Sequence, residues 1–156
     1  MPPFSAGAGL ANGARARLQA SWAEWFRREV TPELLAVEER FAGLYTEYGR
    51  PNWSVARLLG LCLLQHLYDL SDQQALDALS FDVRWQRALD LDAEQAYLSR
   101  RSLVEFCRRL VSGRLSLARE TLRIFVRSLD DAQRAELPEA VRAWYDAEDS
   151  WEQQET

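Results

Sequence analysis

Two pairs of arginine residues stand in the middle of the chain, Arg100-Arg101 and Arg108-Arg109. A guanidinium group carries a permanent positive charge and a planar fork of N–H donors that fits a phosphate group. Several such groups on one surface neutralise neighbouring phosphates and release their counterions. With Arg84 and Arg87 just upstream, six arginines fall within 26 residues. This set predicts a phosphate-binding surface, and the alternative is a solvated, partly ion-paired helix face.

The charge is distributed unevenly along the sequence. The formal net charge of the 156 residues is −5, and every basic residue is an arginine. Residues 84–127 hold 10 arginines and 5 acidic residues, a net +5, whereas residues 1–83 carry −3 and residues 128–156 carry −7. A basic segment between acidic ones indicates an anionic partner more directly than the net charge does.

Helical periodicity runs through the sequence, and no segment alternates with the period of two that is typical of strands. We therefore predict an all-α fold, an irregular or orthogonal bundle of about six to eight helices. The apolar run from Ser54 to Leu67 predicts the central helix, because it is hydrophobic almost all round. Thr31 is a candidate N-cap of a second helix that begins at Pro32 and is ended by "YGRPNW" at residues 48–53. The other predicted helices cover about residues 14–30, 71–79, 83–89, 102–112, 116–129 and 131–147.

Two helix starts carry the pattern of a capping box, in which a serine is followed three residues later by Gln or Glu. These are Ser71 with Gln74, and Ser102 with Glu105. The first follows a break at residues 68–70, so that corner is compatible with a helix-turn-helix arrangement.

The helix after this corner contains glutamines in the position of a recognition helix. Gln73 and Gln74 have side chains that suit the edge of an adenine base. However, Asp72 and Asp77 lie on the same helix and would repel phosphate. An ordinary amphipathic helix capped by Ser71 is therefore the favoured interpretation.

Metal and nucleophile chemistry find little support in the sequence. His66 is the single histidine and is expected to be a hydrogen-bonded core or boundary residue. Cys62 and Cys107 both lie within apolar helical patterns, which indicates two small buried side chains and no disulfide. We expect no metal, no cofactor and no catalytic nucleophile.

The two ends of the chain differ in composition from its helical middle part. Residues 1–13 are small residues and prolines, which predict a flexible tail; they lack the features of a secretory signal. No apolar run is long enough to span a bilayer, so we expect a cytoplasmic protein without membrane contact.

Residues 14–112 form the predicted helical domain, and residues 113–156 a helical extension with an acidic tail. Trp144 and Trp151 in that tail are candidates for an exposed patch.

Several segments resemble the N-terminal helical domain of bacterial insertion-sequence transposases (the InsH-type N-terminal domain). They are "GRPNWSVARLLGLCLLQHLYDLSDQQ", which begins at Gly49, the Arg84-Trp85 pair, and "LSRRSLVEFCRRLV", which ends at Val111. The resemblance extends over about Phe41 to Val111. It implies a helical region that helps to recognise the ends of the element, its terminal inverted repeats, and helps to assemble the transposase.

In that family the domain precedes an RNase-H-like nuclease with three metal-binding carboxylates. This chain stops at Thr156, and "SLDDAQ" at residues 128–133 does not fit the segment that carries the first catalytic aspartate. We therefore expect a truncated or split transposase that binds DNA and is not an enzyme on its own. Two alternatives stay open. One is an interaction module that self-associates or pairs with a full-length transposase, and the other is an inert remnant.

Overall fold

The computed structural model describes residues 12–40, 53–113, 115–137, 139–140, 142–143 and 145–147. These residues form nine helices and no strand, which confirms the all-α prediction. None of these helices is long and apolar enough to cross a membrane. In chain order they are α1 (Asn12–Gln19), α2 (Trp22–Glu29), α3 (Thr31–Arg40), α4 (Val55–Leu67), α5 (Asp72–Phe81), α6 (Val83–Ala88), α7 (Arg100–Gly113), α8 (Leu115–Ser128) and α9 (Asp131–Ala135).

The helix predicted over residues 14–30 is divided into α1 and α2 at Ser21. The Ser21 hydroxyl donates a hydrogen bond to the Leu18 carbonyl at 2.6 Å and accepts one from the Ala23 N–H at 3.3 Å. It therefore satisfies groups at the end of one helix and at the start of the next. The prediction of one helix is wrong because a serine within an apolar period does not show whether it caps a helix or continues it.

Helix α4 is the centre of the bundle, as the sequence predicts. Ten of its 13 residues are buried, and it packs against α3, α5, α7 and α8. Ser54 is its N-cap and accepts a hydrogen bond from the Arg57 N–H at 3.1 Å. A helix with neighbours on so many sides requires an apolar surface almost all round, which its sequence supplies.

A tight corner joins α4 to α5 and contains the predicted capping box. The Gln74 N–H donates to the Ser71 hydroxyl at 3.1 Å, and the Gln74 side chain accepts from the Ser71 N–H at 2.9 Å. Asp69 takes a positive φ of 51°, which lets the chain reverse. The Gln65 side chain donates to the Asp72 carboxylate at 2.8 Å and so fastens the two helices together.

Helix α7 starts earlier than the second predicted capping box. Ser99 is the cap, because its hydroxyl accepts from the Ser102 N–H at 3.2 Å and donates to the Ser102 hydroxyl at 2.9 Å. Glu105 forms an ion pair with Arg108. The predicted box of Ser102 with Glu105 is therefore wrong, since a serine three residues upstream takes the capping role.

The C-terminal part is helical but more divided than predicted. Helix α8 lies close to its predicted position, whereas α9 ends at Ala135. Its start is a capping box in which the Gln133 N–H donates to Asp130 at 2.8 Å. Residues 139–140, 142–143 and 145–147 are again helical. Trp144, Trp151 and most of the predicted acidic C-terminal tail lie outside the described residues. The domain division at residues 112 and 113 stays a prediction.

Side chains from α3 and α4 bind the carboxyl end of α6. The Thr31 hydroxyl donates to the Ala88 carbonyl at 2.6 Å. Arg57 donates from Nε to the Leu89 carbonyl at 3.0 Å and from Nη2 to the Asp90 carbonyl at 3.3 Å. The Ala88 carbonyl is one of those that a helix end leaves without partners within the helix, and the other two directly follow it. Thr31 is thus the first residue of α3 and not its N-cap, because its hydroxyl is used across the bundle.

A charged network joins α2 to α6. Glu24 accepts hydrogen bonds from Arg87 Nε at 2.6 Å and from Arg27 Nη1 at 3.3 Å. Arg27 Nε also donates to the Asp90 carboxylate at 3.2 Å. The Arg87 and Glu24 side chains are only 17% and 16% exposed. The hydrogen bond from Arg87 lowers the pKa of Glu24, with the charges of the nearby arginines adding to this effect and burial opposing it.

Gly60 lets α4 approach the end of α6 closely. A Cβ atom at this position would lie 2.6 Å from Leu89 Cδ2, with Leu34 Cδ1 at 3.6 Å and Phe26 Cε1 at 3.8 Å. Leu89 is buried, so its methyl group has little room to move. Gly13 in α1 offers a comparison, because a Cβ there would meet nothing within 4 Å.

We expect Gly60→Ala to be less stable than Gly13→Ala by about 1–3 kcal/mol in the free energy of unfolding. Both substitutions gain helix propensity, so their difference isolates the overpacking at Leu89. Urea unfolding followed by circular dichroism measures both variants beside the wild type. Equal stability of the two variants would show that the α4–α6 contact does not require a glycine.

We expect Glu24→Gln to lower the free energy of unfolding at neutral pH by about 1–3 kcal/mol, because Arg87 and Arg27 lose an anionic acceptor. Folding lowers the pKa of Glu24 from its ordinary value of 4.5. Its contribution is therefore present above that value and is lost as the pH falls through the lower, folded-state pKa. The variant should lose less stability than the wild type between neutral pH and about pH 3.

Urea unfolding at a series of pH values provides the test, and Glu29→Gln is the matched control. Glu29 lies on the same helix, is exposed and makes no ion pair with a described residue. Its substitution should leave both the stability and its pH dependence close to those of the wild type. If both variants behave alike, the Glu24 network does not stabilise the fold.

Candidate nucleic-acid interface

The first two arginines of α7 lie on the surface. Arg100 and Arg101 are both exposed, and neither makes a hydrogen bond or ion pair with a residue that the structure describes. The orientation of the helix is fixed on the other side, where Leu103 and Phe106 are buried in the core. Because the apolar stripe is held inward, both guanidinium groups are available to an anion in solution.

Arg108 lies on the same helix about two turns beyond Arg101. Its Nη2 is 2.7 Å from Glu105 Oε1, and its Nε donates to the other carboxylate oxygen at 3.3 Å. The hydrogen bond and the charge of Glu105 raise the pKa of Arg108 further above its ordinary value. The Arg108 side chain is exposed and that of Glu105 is partly exposed, and such a pair at the surface exchanges readily with other partners. The side chain of Arg109 lies outside the described residues.

The two arginines on α6 differ in exposure: Arg84 is exposed and paired with a nearby acid, whereas Arg87 is largely shielded. Arg84 Nη2 lies 2.8 Å from Asp82 Oδ2, and Asp82 caps α6 by accepting from the Arg84 N–H at 3.0 Å. Burial raises the pKa of Asp82, but the hydrogen bonds from Arg84 outweigh it, so the pKa is lowered. Arg87 lies in the network with Glu24. Of the predicted arginines whose side chains the structure describes, Arg100 and Arg101 are therefore the most available.

The aromatic neighbours of these arginines differ in exposure. Trp85 is buried and cannot reach a ligand at the surface. The Tyr97 side chain is 71% exposed and lies just before α7. Phe81 is 81% exposed, and the preceding residue is close to the Tyr97 segment because the Ser80 hydroxyl donates to the Ala96 carbonyl at 3.0 Å. The start of α7 thus has exposed aromatic side chains in its neighbourhood.

Phe81 is a candidate contact residue that the sequence prediction missed, although a signal for it exists. The buried residues of α5 are Ala75, Leu76 and Leu79. These three residues follow the helical period and form one apolar stripe. Phe81, two positions after Leu79, does not lie on that stripe. An apolar residue outside the apolar stripe of a short helix indicates exposure, which is unusual for phenylalanine.

The glutamines of α5 are occupied by local hydrogen bonds. Gln73 Nε2 donates to Asp77 Oδ1 at 2.9 Å, and the Gln74 side chain belongs to the capping box with Ser71. These contacts support the favoured interpretation of α5 as a capped amphipathic helix. The helix-turn-helix assignment of this corner stays a prediction.

His66 is exposed, and its Nδ1 lies 2.7 Å from the Cys62 carbonyl oxygen. A carbonyl only accepts, so this nitrogen carries the proton. Within the described ranges, no three side chains of His, Cys, Asp or Glu come together as a set of metal ligands.

Comparison with known proteins places most of this helical domain in a family. Residues 24–109 match the family described as "Transposase domain (DUF772)", and no curated protein and no solved structure matches the chain. The matched region runs from α2 into α7 and contains all six arginines of the predicted surface. It confirms the predicted resemblance to the N-terminal domain of insertion-sequence transposases and extends it towards the N-terminus. The match covers more than half of the chain, and the chain therefore belongs to the DUF772 family of transposase domains.

Proposed function

We propose that this transposase domain binds DNA through α7 and thereby helps to recognise the terminal inverted repeats of its element. One observation carries the proposal. Arg100 and Arg101 are adjacent, exposed and without an anionic partner among the described residues, within the region that matches the transposase family. Guanidinium groups in this state favour a polyanion, since phosphate accepts paired N–H donors and releases counterions.

The spacing on α7 is compatible with a DNA backbone. Arg101 and Arg108 are seven residues apart, so they lie on similar sides of the helix and about 10.5 Å apart along its axis. Successive phosphates of one strand advance about 3.4 Å along a duplex. The two residues would therefore reach phosphates about three steps apart. Arg108 has to exchange Glu105 for the phosphate, so we expect Arg100 and Arg101 to contribute more.

Phosphate contacts position a protein on DNA without reading its sequence. Tyr97 and Phe81 are the exposed aromatic side chains near the start of α7 and could add contacts to sugars or bases. The glutamines of α5 are already hydrogen-bonded within the domain. We therefore propose that affinity comes mainly from α7 and that α5 contributes little to base recognition.

We further propose that this chain alone binds DNA without cleaving it. Arg100 and Arg101, which α7 exposes without an ion-pair partner among the described residues, bind phosphate but are not bases that activate water. Incubation of the purified chain with supercoiled plasmid and Mg²⁺ tests this, and we expect the plasmid to stay intact. Metal-dependent nicking would contradict it.

A second candidate function is self-association or pairing with a full-length transposase. The observation in its favour is Phe81, whose side chain is 81% exposed on a folded helical domain. Burial of such a ring in an interface is favourable and is typical of interface residues. Trp144 and Trp151, which the sequence suggests for the same role, lie outside the described residues.

We expect the double substitution Arg100→Ala/Arg101→Ala to weaken binding to duplex DNA from the element ends by about tenfold or more at 0.1 M salt. It should also reduce the slope of log affinity against log salt concentration by about two, since each lost phosphate contact removes close to one counterion. Fluorescence anisotropy with a salt titration measures both quantities, and a scrambled duplex measures specificity.

The control is Arg17→Ala/Arg119→Ala, which removes the same charge. Both residues are exposed and make no ion pair with a described residue, and they lie on α1 and α8. This variant should bind nearly as the wild type does. Equal loss in both variants would mean that net charge and not the α7 surface drives binding. If the folded wild type does not bind at low salt, the DNA proposal fails, and sedimentation velocity then tests the second candidate.

A further inference from the structure

Two cysteine residues that the sequence predicts as separate buried side chains lie in contact. The Sγ atoms of Cys62 and Cys107 are 3.3 Å apart, although the residues are separated by 45 positions in the chain. Cys62 lies on the central helix α4 and Cys107 on α7. Both are free thiols. At this distance one thiol donates a hydrogen bond to the sulfur atom of the other.

The two thiols differ in exposure and in acidity. Cys62 is buried, whereas Cys107 is partly exposed. The hydrogen bond with Cys107, together with burial, raises the pKa of Cys62 well above its ordinary value. The same hydrogen bond lowers the pKa of Cys107, although burial and the charge of Asp72 oppose this. Cys107 is therefore the more accessible and the more acidic of the two thiols, and Cys62 is the buried and less acidic one.

We propose that Cys62 and Cys107 form a redox modification site, at which hydrogen peroxide closes an intramolecular disulfide between α4 and α7. In the first step the Cys107 sulfur attacks one peroxide oxygen, the O–O bond breaks, and water leaves. Cys107 becomes a sulfenic acid. In the second step the Cys62 sulfur attacks the Cys107 sulfur, the S–O bond breaks, and the hydroxide leaves as water with the Cys62 proton. Two thiols are oxidised by two electrons, and one peroxide is reduced to two waters.

The placement of the pair favours this role over simple packing. A packing role requires only two small apolar side chains and gives no reason for sulfur atoms in contact. A reactive thiol beside a resolving thiol on a second element is the arrangement that redox-sensing cysteines share. The disulfide would join the central helix to the helix that carries Arg100 and Arg101. A dithiol reductant would reopen it by exchange, so it suits a reducing compartment as a transient bond.

The test uses the reduced chain treated with a small excess of hydrogen peroxide and sampled over time. Free thiols are counted by alkylation, and products are identified by intact mass and peptide mapping. We expect both thiols to disappear together, with the loss of the mass of two hydrogen atoms, and dithiothreitol to restore them. A sulfenic-acid probe such as dimedone should label Cys107 and leave Cys62 unlabelled.

Two variants test the order of the steps. In Cys62→Ala the sulfenic acid on Cys107 has no resolving partner and should accumulate as the dimedone adduct. In Cys107→Ala the remaining thiol should react at least about tenfold more slowly, because burial limits its contact with peroxide and raises its pKa. Circular dichroism confirms that each variant is helical, and the wild-type experiment needs neither variant. The proposal is overturned if peroxide leaves both thiols intact, adds oxygen to Cys107 without closing the bond, or yields only disulfide-linked dimers.

Discussion

Helix α6 can end inside the bundle only because other helices supply hydrogen-bond donors to its carbonyl groups. Thr31 binds the carbonyl of Ala88, the last residue of α6, and Arg57 binds the carbonyls of Leu89 and Asp90, which directly follow the helix. A buried carbonyl without a partner costs about 1–3 kcal/mol, so these contacts decide whether the end can be buried at all. Gly60 then allows α4 to lie against Leu89, and Glu24 ties α2 to Arg87. Helices α2, α3 and α4 thus all contact this one helix end.

The central helix α4 also determines which residues α7 exposes. Helix α7 packs on α4, α5 and α8, with Leu103 and Phe106 inside. A helix that buries one stripe has no freedom to rotate, so the residues opposite the stripe are held in solvent. The exposure of Arg101 and Arg108 thus follows from the core, and no contact of the arginines themselves is needed to orient them. The sulfur contact of Cys107 with Cys62 lies at this packed face.

The sequence predicts what depends on near neighbours and fails where the partner is distant. The capping box of Ser71 with Gln74 is local, and it is correct. Ser102 and Glu105 fit the same pattern, but Ser99 caps the helix instead. The pattern alone does not show which of two nearby serines is the N-cap. Leu103 and Phe106 lie three residues apart, which is likewise a local helical spacing, and both are buried. By contrast, the engagement of Arg87 depends on Glu24, 63 residues away, which no spacing rule reveals.

An exposed ion pair contributes about 0–1 kcal/mol, so Arg100 and Arg101 lose almost nothing in stability by having no partner among the described residues. Arg87 is different, because its contact with Glu24 is largely shielded from water and cannot be given up without loss. The arginines of the basic segment therefore fall into two groups with different determinants. Folding determines that residue 87 pairs with an acid. It determines that residues 100 and 101 are exposed, but it does not determine that they are arginines, and this choice leaves a local positive charge on an acidic protein.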